Sequence, residues 1–262
     1  MKSVESFDGV SIVYDVSGDD HADSGTIVFI HGWTCNRAHW VEQVREFSSQ
    51  YRTIAIDLAG HGDSTLGRTD YSMPSFGLDV VTVLDQEGVD RAALVGHSMG
   101  GMVILHAARL LDGRVAGIVG ADTLKYLRND PGGSDGFQAV QLEAMISNYA
   151  SAVSGLVASM FAADTPDGLK NMITDGMIAT PQEVGIGAMR GMAEDIALYE
   201  TTRALGVPKM TINASGRAMD ETAARDAGVD VRIVPTTGHF VMNEDPEVFN
   251  SLLSEALGRM FG

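Results

Sequence analysis

Apolar residues in this chain gather into short, β-branched runs that stop at turn residues. Thr26–Ile30 reads TIVFI and ends at His31-Gly32. Arg52–Asp57, Ala93–Gly96, Val115–Asp122, Lys209–Asn213 and Val229–Pro235 repeat the pattern. Near-continuous apolar runs, as opposed to alternating ones, suit strands covered on both faces. Helical patterns separate them over Ala38–Phe47, Ser75–Gln86, Met99–Leu111, Asp220–Asp226 and Pro246–Met260. Strands alternating with helices predict βαβ units, hence an α/β fold with a mostly parallel sheet and helices on both faces. Ahead of these, Val4–Val16 reads as two short strands around Asp8-Gly9, an antiparallel edge.

One stretch interrupts the alternation. From Thr123 to about Leu205 no strand pattern appears, and Met145, Met160, Phe161, Met172, Met177, Met189 and Met192 recur in it. The chain therefore divides into a core, residues 1–122 and 206–262, and a helical cap, residues 123–205. Methionines at helical spacing serve ordinary core packing; over the strand ends their pliable side chains also suit an apolar substrate pocket. Trp33, Met160, Phe161 and Met189 are the expected lining.

Composition narrows the function. Of 262 residues, 45% are hydrophobic and 20% charged, the profile of a core-forming domain. The formal net charge of −17 leaves no basic footprint for nucleic acid and opposes an anionic membrane. No apolar run approaches the roughly 18–20 residues of a spanning helix. The first residues carry charges where a signal peptide is apolar, so a cytoplasmic location is expected. Cys35 is the sole cysteine, which excludes an internal disulfide and a multi-cysteine zinc site. No metal or cofactor is expected, and no oligomeric state is specified.

Gly96-His97-Ser98-Met99-Gly100 matches G-x-S-x-G between a predicted strand and a predicted helix. Such a turn needs glycines because side chains beside a strained serine would clash. It presents Ser98 as a nucleophile above the strand ends. It also leaves the Met99 N–H at a helix N-terminus, where it faces a developing oxyanion. A second donor is expected from the Trp33 N–H in the loop His31-Gly32-Trp33. Serine requires a base. Of seven histidines, His239 lies after the last strand and before the Asp245-Pro246 helix start, where such groups gather. His31 and His97 read as loop-shaping residues and His106 as a structural one.

Together, HGW (31–33), DLAGHGDS (57–64), GHSMGG (96–101) and TTGHFVMNEDPEVF (236–249) resemble the α/β-hydrolase superfamily, in its cap-bearing esterase-like branch. The resemblance spans nearly the whole chain in order. It implies the α/β-hydrolase fold and a Ser–His pair, and that Asp57, Gly60, Gly62 and Ser64 shape a loop beside the site. It also implies a triad acid just after the strand KMTIN, yet Ser215, Gly216 and Arg217 occupy those positions. Two carboxylates compete. Asp122 ends the strand VAGIVGAD, a position from which some superfamily members take their acid. Asp220 starts DETAAR and suits a helix cap. Asp122 is taken as the acid and Asp220 as its alternative.

The expected activity is cleavage of a small to medium apolar carboxylic ester through an acyl-enzyme. Alternatives are a lactonase or C–C bond hydrolase with the same triad, a cofactor-independent dioxygenase using the His–Asp pair, and a non-catalytic ligand receptor. An aspartate-nucleophile dehalogenase is disfavoured by Ser98.

Overall fold

A computed structural model describes residues 1–125, 142–195, 198–216 and 219–262. Their centre is an eight-stranded sheet: β1 (Lys2–Glu5), β2 (Ser11–Ser17), β3 (Thr26–Ile30), β4 (Arg52–Ile56), β5 (Ala92–His97), β6 (Val115–Ala121), β7 (Lys209–Ala214) and β8 (Val229–Val234). Their spatial order is β1-β2-β4-β3-β5-β6-β7-β8. β1 and β2 form the antiparallel edge; β3 to β8 are parallel. This is the α/β architecture expected from the alternating runs.

Every residue of β3, β5 and β6 is buried, because helices cover both faces. β8 departs from the buried pattern read for it. It is the last strand, its middle is half-buried, and Ile233 is 45% exposed. The predicted helix over Ala38–Phe47 also differs: a 3₁₀ turn, Arg37–Trp40, precedes α1 (Val41–Phe47). Asn36 caps that turn by accepting from the Ala38 N–H, and the Arg37 N–H donates to the Asp57 carboxylate.

β3 has β4 on one side and β5 on the other, so chain order reverses there. Loops leaving β3 and β5 then face each other across a crevice at the strands' carboxyl ends, the usual site position in open α/β sheets. α2 (Met73–Gln86) and α3 (Met99–Leu110) pack against this centre. Between β6 and β7 lie helices Tyr149–Ala158, Asp167–Ala179, Gln182–Glu194 and Leu198–Ala204, with no strand among the described residues. Part of the expected cap, residues 126–141 and 196–197, lies outside the described residues, as does Arg217. Among the described residues no helix is long and apolar enough to cross a membrane.

Candidate active site

The turn between β5 and α3 is built on contact. A Cβ at Gly96 would lie 2.3 Å from the Gly100 carbonyl oxygen, and one at Gly100 would lie 2.5 Å from that of Ile30. Only glycines let α3 press onto the end of β3. Between them Ser98 takes φ 51°, ψ −116°, a conformation that costs a non-glycine residue about 1–3 kcal/mol. Among the described residues the other positive-φ residues that are not glycine are Thr34, Asp122, Leu124 and Thr236. All five lie in loops leaving β3, β5, β6 and β8, so backbone strain collects at one end of the sheet.

Ser98 Oγ lies 2.8 Å from His239 Nε2, and His239 Nδ1 lies 2.5 Å from Asp122 Oδ2. With Nδ1 protonated toward the carboxylate, Nε2 is left to accept from the serine hydroxyl. The second Asp122 oxygen, Oδ1, accepts from the Ala214 N–H at 2.8 Å and meets the Lys125 ammonium at 2.5 Å. Asp122 is buried, which by itself raises its pKa. The His239 hydrogen bond and charge, with Lys125, outweigh burial and hold the carboxyl at about 2. Asp122 is thus the carboxylate brought to His239. Asp220 caps the helix Glu221–Asp226, accepting from the Ala223 N–H at 2.8 Å. The cap role read for it in the sequence is the one it fills.

The His239 loop is held from several sides. Its own N–H donates to the Met160 carbonyl at 2.6 Å. Its carbonyl accepts from His97 Nε2 at 3.0 Å. His97 is fully buried; burial, then the nearby His239 ring, keeps it well below the usual imidazole range, so it is neutral. Glu244 gathers four donors: the N–H groups of Gly238 (3.0 Å), Phe240 (3.2 Å) and Ala162 (3.1 Å), and the Thr165 hydroxyl (2.5 Å). One carboxylate therefore joins the histidine loop to the segment Met160–Thr165. Nothing local in the sequence pointed to Glu244, because its donors are either backbone amides or far away in the chain. Lys125 stands three residues from Asp122, a spacing from which the pairing was readable.

The loop after β3 lies against the elbow: a Cβ on Gly32 would come within 3.2 Å of Ser98 Cβ. His31 is neutral, its pKa pushed down to about 3 by burial. Its Nδ1–H donates to the Gly32 carbonyl at 2.8 Å and Nε2 accepts from the Leu58 N–H at 3.0 Å. The Asp57 carboxylate accepts from the Arg37 N–H at 2.7 Å and the Asp63 N–H at 2.9 Å, and it pairs with the Arg37 guanidinium. Gly62 packs onto that carboxylate at φ 53°, and Ser64 Oγ donates to the Asp57 carbonyl at 2.7 Å. This is the loop-shaping role the sequence suggested, with Arg37 as the partner it did not reveal. His106 ties α3 to Asp195 at 2.8 Å.

The expected pocket residues separate. Trp33 is buried, and its Nε1–H donates to the Gly185 carbonyl of the helix Gln182–Glu194 at 2.8 Å. Met160 stands beside His239, and Phe161 stacks on Phe240 with ring centroids 5.3 Å apart. Met189 is buried within its helix. Met145 and Met177 belong to the core, while Met172 is 58% exposed and lines no interior space. Two surface clefts, one between α1 and the C-terminal helix and one beside Arg37 and Pro181, contain neither Ser98 nor His239.

The profile of the alpha/beta hydrolase family matches residues 27–252, and the chain belongs to this family of enzymes. It is 26% identical over 261 residues to a dihydrolipoyllysine-residue acetyltransferase component of an acetoin cleaving system from Cupriavidus necator, covering 96% of this chain and 67% of that one. Two other curated relatives, an epoxide hydrolase 4 and a non-heme chloroperoxidase, are spanned over only 22% and 42% of their lengths. It is 24% identical to 3-oxoadipate enol-lactonase 1 of Acinetobacter baylyi, over 79% of this chain and 76% of that protein. Among solved structures, a thermophilic esterase from Thermogutta terrifontis superposes with a TM-score of 0.88 at 21% identity, covering 100% and 99% of the two chains.

Proposed function

We propose that this chain is a serine hydrolase that cleaves small to medium apolar carboxylic esters through an acyl-enzyme. The observation that carries this reading is the unbroken line from Ser98 Oγ through the His239 ring to the Asp122 carboxylate. Ser98 attacks the ester carbonyl while His239 Nε2 takes the hydroxyl proton. The oxyanion rests on the Trp33 and Met99 N–H groups. His239 then protonates the departing alcohol, and the acyl group remains on Ser98. Water enters, His239 takes its proton, and the acid is released with Ser98 restored. Asp122 keeps the imidazole in one tautomer and stabilises its charged form. Phe161, Met160 and the Trp33 side supply apolar contact for acyl or aryl groups.

A lactone is an internal ester and the same steps open it. The likeness to an enol-lactonase over most of both chains favours this as the second reading. The test is labelling with a fluorophosphonate probe together with turnover of a short p-nitrophenyl ester and a simple lactone. Wild type is expected to label and to turn over, and Ser98→Ala to lose both, with turnover falling at least about a thousandfold. Labelling without turnover of any ester or lactone identifies a ligand receptor. Activity on an oxidisable aromatic that survives Ser98→Ala identifies a dioxygenase. Either outcome overturns the proposal.

A further inference from the structure

A buried lysine stands behind the acid of this site. Lys125 is 6% exposed, and its Nζ lies 2.5 Å from Asp122 Oδ1, the oxygen that His239 does not use. Burying an ammonium is costly unless a partner repays it. The local backbone is shaped to bring it there. Asp122 and Leu124 both take positive φ, 48° and 57°, which folds the exit of β6 back on itself. The turn is fastened on three sides. The Thr123 hydroxyl donates to the Ser98 carbonyl at 2.8 Å, the Thr211 hydroxyl to the Thr123 carbonyl at 2.7 Å, and the Asp220 N–H to the Lys125 carbonyl at 2.9 Å.

We propose that Lys125 is a positioning residue of the relay: its ammonium fixes the Asp122 carboxylate and offsets part of its charge, so that His239 stays an unprotonated base at lower pH than beside an unpaired aspartate. The proposal rests on the hydrolase reading for its kinetic readout, and it has a second readout that does not.

Among the described residues, charged and titratable groups reach the surroundings of His239 from several elements. From the β6 exit come Asp122 and Lys125. The end of β5 brings Ser98 and the neutral His97, whose ring lies beside that of His239. From the His239 loop itself comes Glu244, bonded to the amides on either side. Asp220, at the β7 exit, spends its carboxylate on a helix cap. Among the described residues Lys125 is a cation set directly on the acid. Its charge disfavours imidazolium, and Asp122 favours it. Removing the lysine charge leaves Oδ1 still accepting from the Ala214 N–H, so the carboxylate keeps a tether while the electrostatics change.

The experiment compares wild type, Lys125→Met and Lys125→Arg in two ways. The first is the pH dependence of kcat/KM for a p-nitrophenyl ester, with circular dichroism verifying the fold at each pH. The second is an NMR titration of the His239 ring in a Ser98→Ala background, which needs no turnover. For Lys125→Met the acid limb and the ring midpoint are both expected to rise by about one pH unit. Below that limb its turnover, relative to its own plateau, then falls about tenfold further than wild type. Lys125→Arg is expected to keep the wild-type limb. If Lys125→Met does not fold, Lys125→Gln, neutral and polar, takes its place. A neutral variant whose limb and ring midpoint coincide with wild type, with only its melting temperature lowered, makes Lys125 a structural residue and overturns the proposal. Wild type inert toward esters and lactones overturns the hydrolase reading instead, and the ring titration still decides Lys125.

Discussion

Two aspartates at the ends of neighbouring strands have opposite work, and geometry separates them. Asp122 gives one oxygen to His239 and the other to an amide and an ammonium, while Asp220 closes a helix start. Asp122→Asn is therefore expected to lower kcat by about 10³- to 10⁴-fold, since an amide holds the imidazole in the wrong tautomer. Asp220→Ala is expected to retain turnover and to lose about 1 kcal/mol of stability, the cost of a missing cap. Steady-state kinetics and urea unfolding on both variants check this; equal kinetic losses would refute it. The sequence offered both residues because each follows a strand and a carboxylate in either place is chemically suitable. Ser98 and His239 were readable because steric demands force a local glycine pattern around one, and chain order marks the other. Glu244 and Arg37 were not, since Glu244 binds backbone amides, which leave no residue signature, with donors far off in the chain, and Arg37 binds a distant carboxylate.

At the scale of elements, the antiparallel edge is fastened to the parallel core by charge. Arg68 is nearly fully buried and forks between Asp8, beyond β1, and Asp79, in α2, with bonds to Asp79 of 2.6 Å. Ser6 donates to the same Asp79. Burial raises the Asp79 pKa despite its partners, which marks a carboxylate that depends on Arg68 to stay ionised. Arg68→Met leaves that carboxylate buried and unpaired, and a loss of about 3–5 kcal/mol is expected. Chemical denaturation measures it, and a loss under about 1 kcal/mol would show the pair to be dispensable. Element identity was legible wherever both faces are buried, as in β3, β5 and β6. It was less so at β8, where an apolar run proved to be an edge. The 3₁₀ turn at Arg37–Trp40 escaped notice although Asn36 caps it locally, because part of what holds it, the Asp57 carboxylate, lies 20 residues on.

Taken whole, the molecule keeps four buried histidines neutral among its described residues. Burial pushes His31 and His61 to about 3 and His39 to about 4, and holds His97 well below the ordinary range. Their folded values lie below the unfolded value of about 6.5, so the unfolded chain binds protons first as pH falls. The stability these groups confer is complete above that value and is lost below it, by up to about 2 kcal/mol each between pH 7.5 and pH 5. Asp122 acts later: its lowered carboxyl loses its contribution only as pH falls below about 4. The net charge of −17 works in the opposite sense, since repulsion eases on acidification. That term is spread over the surface and screened by salt, so the buried rings dominate. Urea unfolding at the two pH values is expected to show a drop of several kcal/mol at pH 5; a drop under about 1 kcal/mol would contradict it. The His239 amide donates to Met160, in the insertion between β6 and β7. That segment therefore holds the base from outside the catalytic line, and a change that displaces the Met160 carbonyl reaches the His239 backbone directly.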